Sequence, residues 1–269
     1  MDKLEGKVAA ITGGGSGIGR SLAEQLAPLG CNLALIDIDQ GRLDEVAAAC
    51  ARDGLTITTH VADMRDRDRV KTLADEVVEA HGGVHILVNS AGVTAWGSFE
   101  EMSFEDLDWV LDVNLRGVIN GCKFFLPYLR EEAEAHIVNV SSLFGILSAC
   151  NQAAYCTTKY AVRGLSEALD AELDESSINV SVIHPGGVAT NFVTDSRSAD
   201  LDSKKEFADL VDKYMIKPDK VAAAIIAAIK KNKLRARVGP DAFVGDWLKR
   251  AFPTRGQRML ARFLKKSMP

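Results

Sequence analysis

Tyr155 and Lys159 stand four residues apart in a stretch with helical periodicity, so both side chains leave one face of one helix. A phenol ordinarily keeps its proton to about pH 10. A neighbouring ammonium favours the phenolate, which fits the phenol for general acid and base work. A Tyr–Lys pair at this spacing is usually a surface feature, and it gains meaning only from its company. Ser142 closes an apolar strand pattern 13 residues before Tyr155. Asn89-Ser90-Ala91-Gly92 closes another, Asn114 sits in Val113-Asn114-Leu115, and Pro185-Gly186-Gly187-Val188-Ala189-Thr190 follows a third.

A second group of residues suits a phosphate. Thr12-Gly13-Gly14-Gly15-Ser16-Gly17-Ile18-Gly19 lies between the first strand pattern and the first helix pattern, with the spacing G-x-x-x-G-x-G at Gly13, Gly17 and Gly19. Glycines there let backbone N–H groups approach an anion, and the helix that follows offers its positive end. Asp37 ends the second strand pattern 18 residues after Gly19. A carboxylate in that place accepts hydrogen bonds from adenosine ribose hydroxyls and repels a 2′-phosphate. Ile38 and Ser16 bring no cation to that phosphate, so NAD is expected over NADP. Gly14 to Ser21 comes within one residue of an NTP-binding P-loop, but Arg20 stands where the phosphate-holding lysine belongs.

The elements that must position these groups alternate from end to end. Strands are expected at 7–12, 32–37, 56–63, 85–89, 136–141, 179–183 and 235–238. Helices are expected at 17–29, 40–52, 66–80, 104–131, 152–173 and 218–230. Strands this apolar on both faces belong in a parallel sheet covered on each side. Strict β–α alternation gives an α/β fold, a Rossmann-type doubly wound sheet of about seven strands. In such a sheet the candidate residues other than Asn114 fall at the carboxyl edge, where ligands bind. The segment Asn191 to Leu201 lacks periodicity and reads as a mobile loop.

Composition narrows the function further. The 269 residues are 47% apolar and 26% charged, enough for one large domain. No apolar run reaches the roughly 20 residues that span a bilayer. The opening residues Met1 to Gly6 lack the regions of a signal peptide, and the five cysteines are odd in number and scattered. A cytoplasmic protein with free thiols is expected. No metal site is expected, because the closest histidines, His81 and His85, flank a Gly-Gly-Val turn with no third ligand nearby. The net charge of −5 hides an asymmetry: seven bases and no acids lie from Trp247 to Pro269, leaving 25 bases against 37 acids, or −12, in the first 246 residues. An acidic body argues against nucleic acid. The chain is therefore expected to be one domain over 1–246 with a basic amphipathic extension over 247–269. Leu260, Phe263 and Leu264 share a helical face there. That extension is expected to pack on its own domain or an oligomer partner, with membrane contact the less favoured reading because it needs an apolar face left open.

Taken together, the motifs from about Gly6 to Val238 resemble those of the short-chain dehydrogenase/reductase family, in order and spacing. The resemblance implies an oxidoreductase that moves a hydride between a nicotinamide cofactor and an alcohol or carbonyl carbon. It implies that Ser142 orients the substrate oxygen, Tyr155 transfers the proton, Lys159 holds the nicotinamide ribose and lowers the tyrosine pKa, and Asn114 holds a relay water. It assigns cofactor contacts to Gly13, Ser16, Gly17, Ile18, Gly19, Asp37, Asp63, Asn89, Gly92, Val188 and Thr190 besides Tyr155 and Lys159. Family analogy also implies a homodimer or homotetramer. Phe144, Phe192 and Asn151, with Ser142 and Tyr155, are the expected substrate contacts and favour a moderately hydrophobic alcohol or ketone. The alternatives are an NADPH-linked ketoreductase and a dinucleotide-binding regulator without turnover.

Overall fold

The computed structural model describes residues 1–190, 192, 195–198 and 215–267, with side chains at all of these except 260, 261 and 263–267. The loop expected over 191–201 and the shared face of Leu260, Phe263 and Leu264 lie largely or wholly outside the described residues.

Seven strands form one parallel sheet: β1 (Val8–Thr12), β2 (Asn32–Asp37), β3 (Ile57–Val61), β4 (Ile86–Asn89), β6 (Ala135–Val140), β7 (Ile178–Pro185) and β9 (Arg235–Val238). Their spatial order is β3-β2-β1-β4-β6-β7-β9. The order reverses between β1 and β4, and a crevice opens at their carboxyl ends. Every residue of β1, β4 and β6 is buried, as both-face coverage requires. The crossover helices are α1 (Gly17–Leu26), α2 (Gln40–Cys50), α3 (Arg67–His81), α4 (Phe104–Leu111), α5 (Gly117–Leu129), α6 (Ala153–Leu173) and α7 (Pro218–Lys230). One face of the sheet packs Leu22, Leu26, Leu33, Leu35 and Ile225 in a shared core. The other packs Leu73, Val77, Phe125, Leu129 and Val162.

Local chemistry starts and stops these helices. Asp39 and Asp66 accept backbone hydrogen bonds from Arg42 and Arg69, capping α2 and α3. Gly82, in the left-handed region at φ 77°, ends α3. The helix expected over 104–131 is two helices joined by a π turn at Asp112–Arg116. One extra residue per turn there swings Asn114 inward to full burial. A two-strand pairing, β5 (Ala95–Trp96) with β8 (Arg197–Ser198), was not expected, since two residues carry no periodicity.

Beyond β9 the chain forms α8 (Pro240–Ala251) and α9 (Pro253–Ser267). Trp247, where the basic extension was expected to begin, lies within α8. Asp246, its side chain 2% exposed, pairs with Arg235 at 2.8 Å, Arg237 at 2.7 Å and Arg250 at 3.1 Å, fastening α8 to the sheet's edge strand. On α9, Gln257 receives a hydrogen bond from Ser148 N–H at 3.2 Å and donates to the Ser148 carbonyl at 2.9 Å.

Candidate active site

The crevice at the switch point has two connected halves. The first, about 340 Å³, is lined by Gly13, Ser16, Gly17, Ile18, Asp37, Asp63, Gly92 and Thr190 among others. The second, about 270 Å³, is lined by Ser142, Phe144, Tyr155, Lys159, Val188 and Phe192 among others. Ile18, Ser90, Gly92, Thr190 and Phe192 border both.

The first half is shaped by its glycines. A Cβ on Gly19 would sit 2.1 Å from the Gly13 carbonyl oxygen, so only glycine lets α1 start this close to the loop. Gly13 itself lies at φ 67°, and a Cβ there would be 3.0 Å from the Ala91 backbone. Thr12, buried behind the loop, accepts hydrogen bonds from Ser90 N–H at 3.0 Å and Ala91 N–H at 3.1 Å, so β1 fixes the wall that follows β4. Asp37 accepts from Gly15 N–H at 3.1 Å and Ile38 N–H at 2.8 Å, which holds its carboxylate at the cleft rim. Burial pushes the Asp63 carboxyl up, but hydrogen bonds and charge from Arg65 outweigh it and leave the group below its ordinary value. This bed, a backbone-lined anion pocket with a carboxylate 18 residues on, fits a dinucleotide.

One expectation about this half is corrected. Arg42, on the first turn of α2, lines the cleft beside Asp37, so a cation does stand there. Its guanidinium is engaged by Asp39 at 3.5 Å and Asp195 at 3.4 Å. Sequence spacing pointed to the residue after Asp37, whereas the helix turn returns the chain to the cleft five positions later.

In the second half, α6 presents Tyr155 and Lys159 and the end of β6 presents Ser142. Lys159 is 4% exposed, and its ammonium donates to the Val140 carbonyl at 3.0 Å and lies 5.5 Å from the Tyr155 ring centre. Burial lowers the Lys159 pKa from 10.5 to about 8. Burial raises that of Tyr155 to about 12, with a hydrogen bond from Ser142 acting in the opposite direction. Burial thus sets the direction at Tyr155, and the Lys159 ammonium aims its hydrogen bond at Val140. Phe144 and Phe192 meet the Tyr155 ring edge-on, with centres 6.2 and 5.5 Å away. Ser142 Oγ accepts from Phe144 N–H at 3.1 Å. The Ser142 carbonyl can only accept, so buried His184 donates to it through Nδ1 at 2.9 Å, which fixes that tautomer.

Three expected residues are placed elsewhere. Asn114 is buried behind the wall, its amide bonded to both Val93 backbone groups at 2.8 Å and to Thr158 at 3.3 Å. Asn89 turns into the core and donates to Asn139 at 2.8 Å, supporting Ser90 to Gly92 without facing the cleft. Asn151 is exposed at φ 57° and is absent from the cleft lining; its neighbour Gln152 lines the cleft instead, held by Thr94 at 2.8 Å. Sequence reasoning also passed over Asp241 on the second half's wall, which Trp96 lines as well. Asp241 accepts from Gly187 N–H at 2.9 Å across 54 positions of chain, a contact no local pattern signals. Among the described residues no cluster of three or more His, Cys, Asp or Glu could hold a metal, and no helix is long and apolar enough to cross a membrane.

A doubly wound sheet with a dinucleotide bed at its switch point, and a serine, tyrosine and lysine converging beside it, defines a nucleotide-dependent oxidoreductase. The family model described as short chain dehydrogenase matches residues 7–201. SadH of Mycobacterium tuberculosis is 36% identical over 273 residues, covering 100% of this chain and 99% of that protein. The oxidoreductase UcpA of Escherichia coli is 40% identical over 191 residues, 71% of this chain and 72% of that one. Among solved structures, a short-chain dehydrogenase/reductase from Burkholderia phymatum in complex with NAD shares 31% identity with a TM-score of 0.87, covering 93% of this chain and 95% of that one. An alcohol dehydrogenase from Thermococcus sibiricus complexed with 5-hydroxy-NADP shares 28% identity with a TM-score of 0.74, covering 86% and 94%. The chain belongs to the short-chain dehydrogenase/reductase family.

Proposed function

We propose that the protein is an NAD(H)-dependent dehydrogenase that interconverts a neutral, moderately hydrophobic secondary alcohol and its ketone, with Tyr155 exchanging the proton. The observation that carries this reading is the convergence of Tyr155, Ser142 and buried Lys159 on one wall, beside a bed whose rim carries Asp37. Gly13 to Gly19, Asp37 and Lys159 would hold a nicotinamide dinucleotide, which would supply the hydride acceptor or donor and, when oxidised, a positive charge. Tyr155 gives its phenolic proton to a carbonyl oxygen in reduction and takes the hydroxyl proton in oxidation. Ser142, on the same wall as Tyr155 with its hydroxyl oxygen held by Phe144 N–H, holds the same substrate oxygen. Lys159 supplies the nearby charge and a donor for a ribose hydroxyl. Asn114, with its amide spent on Val93 and Thr158, leaves the Val93 to Thr94 backbone fixed and acts by position.

Asp37 supports NAD because a carboxylate at the rim accepts from ribose hydroxyls and repels a phosphate. Arg42 supports a second reading, an NADPH-linked ketoreductase, but Asp39 and Asp195 already neutralise it. Trp96, Phe144, Val188 and Phe192 supply the apolar wall behind the substrate preference. A cytoplasmic homodimer or homotetramer built on a single domain completes the reading. The test is a panel of secondary alcohols and ketones run with each cofactor in both directions. Turnover of an apolar secondary alcohol with NAD at higher kcat/KM than with NADP is expected. A preference for NADP favours the second reading, and cofactor binding without turnover across the panel favours a regulator.

A further inference from the structure

The outer side of α8 and α9 interleaves apolar and cationic side chains. On α8, Phe243, Trp247 and Arg250 recur at i, i+4 and i+7 and share one side of the helix. Phe243 is 49% exposed and Trp247 63%. On α9, Arg255, Met259 and Arg262 repeat the same spacing, and all three are exposed, as is Arg258. Phe252 is exposed at the joint between the helices. The inner side is taken. Gly256 is buried so tightly against α8 that a Cβ would meet the Leu248 carbonyl oxygen at 2.6 Å, and Gln257 is tied to Ser148.

This open face is a concentration and not a scatter. Of the eleven exposed large apolar residues among the described ones, five (Phe243, Val244, Trp247, Phe252 and Met259) fall within seventeen consecutive positions. Three of them, Trp247, Phe252 and Met259, lie in the segment 247–269, which holds seven bases and no acid on a body otherwise carrying −12. Among the described residues an apolar face is therefore open at Phe243, Trp247, Phe252 and Met259.

We propose that the α8–α9 face docks on the surface of an anionic lipid bilayer, without entering it as a span. Tryptophan, phenylalanine and methionine beside arginines match the headgroup boundary, where rings and thioether leave water while guanidinium groups meet lipid phosphates. Charge selects this occupant over a second copy of the chain. An isologous contact sets a patch against itself, which would press arginines on arginines. An anionic surface instead attracts each base within a Debye length. Gly245, on the inner side of α8, lies against Leu143 and Leu147, so docking brings the substrate half of the cleft close to the bilayer.

The proposal is tested on the full chain by flotation with vesicles of phosphatidylcholine alone and of phosphatidylcholine with phosphatidylglycerol. Bound protein should rise at least about tenfold with the anionic lipid and fall as salt is added. Arg255→Glu with Arg258→Glu and Arg262→Glu should abolish flotation, at roughly fivefold per base or more, with cofactor binding retained as proof of folding. Trp247 should shift its emission to the blue on anionic vesicles. Trp247→Phe should remove that shift while flotation persists, because Trp96 and Trp109 stay within the fold. Equal flotation on both vesicle types, or none on either, overturns the proposal. So does a dimer seen by light scattering that Trp247→Ala dissociates, since that gives the face to a second copy.

Discussion

Lys159→Met should stabilise the protein at neutral pH while removing its turnover. The lysine is 4% exposed, and its ammonium has one protein hydrogen bond, to the Val140 carbonyl. Burial holds its pKa at about 8 against 10.5, and at about 1.36 kcal/mol per pH unit this corresponds to roughly 3 kcal/mol of stability lost below pH 8. Methionine fills the space without a charge but leaves the buried Val140 carbonyl without this donor, which costs about 1–3 kcal/mol. The net gain at pH 7 is up to roughly 2 kcal/mol, or up to about 4–8 °C in Tm for a chain of this length. The sign with pH is equally definite. Between about pH 8 and 10.5 the folded lysine binds fewer protons than the unfolded one, so wild-type stability rises with pH relative to the variant. The advantage of the variant therefore shrinks across that window and vanishes near its upper end. Unfolding of both proteins without cofactor, from pH 7 to above 10, reads this group because titrations away from the site cancel in the difference. A variant no more stable than wild type at pH 7, with a gap constant in pH, would refute the reasoning.

Further consequences concern binding and stability. Asp37→Ala with Ile38→Arg should weaken NAD(H) by about tenfold and favour NADP(H), read by titrating both cofactors; unchanged affinities would remove Asp37 from the cofactor site. Gly19→Ala should weaken cofactor binding by at least about tenfold, since its Cβ would lie 2.1 Å from the Gly13 carbonyl oxygen and force the loop off α1; calorimetric titration checks this. Asp246→Ala strands three arginines around a buried position. It should cost about 2–3 kcal/mol, less than a fully buried pair because Arg237 and Arg250 reach solvent, and a denaturant melt reads the loss.

Long-period features were legible in the sequence and tertiary ones were not. The strand at 32–37 and the helix at 218–230 carry their own hydrophobic pattern and turn signals, and both appear with the expected bounds. Glycine loop, Asp37, Ser142, Tyr155 and Lys159 were legible because their spacing along β–α units fixes them at one sheet edge. The break at Asp112–Arg116 was hidden, since a π turn keeps the apolar content of the helix it interrupts. Asn151 and Gln152 show the limit at one residue's resolution: the left-handed backbone of Asn151 turns it out and hands the wall to its neighbour. Arg42 and Asp241 reach the cleft through helix turns and a 54-residue contact, neither encoded locally. The raised pKa of Tyr155 was equally out of reach, because it depends on how completely three dimensions exclude water.

The central claim is that Tyr155 exchanges the proton while the rest of the site binds and orients. Tyr155→Phe removes one oxygen from a ring held edge-on by Phe144 and Phe192, so the fold and the dinucleotide bed should persist. Turnover of the best alcohol in the panel, measured beside a cofactor titration, decides the matter. The account predicts a fall in kcat of about 10²–10⁴ with cofactor affinity essentially unchanged. Substantial turnover by the variant, with the wild-type pH profile intact, would contradict it.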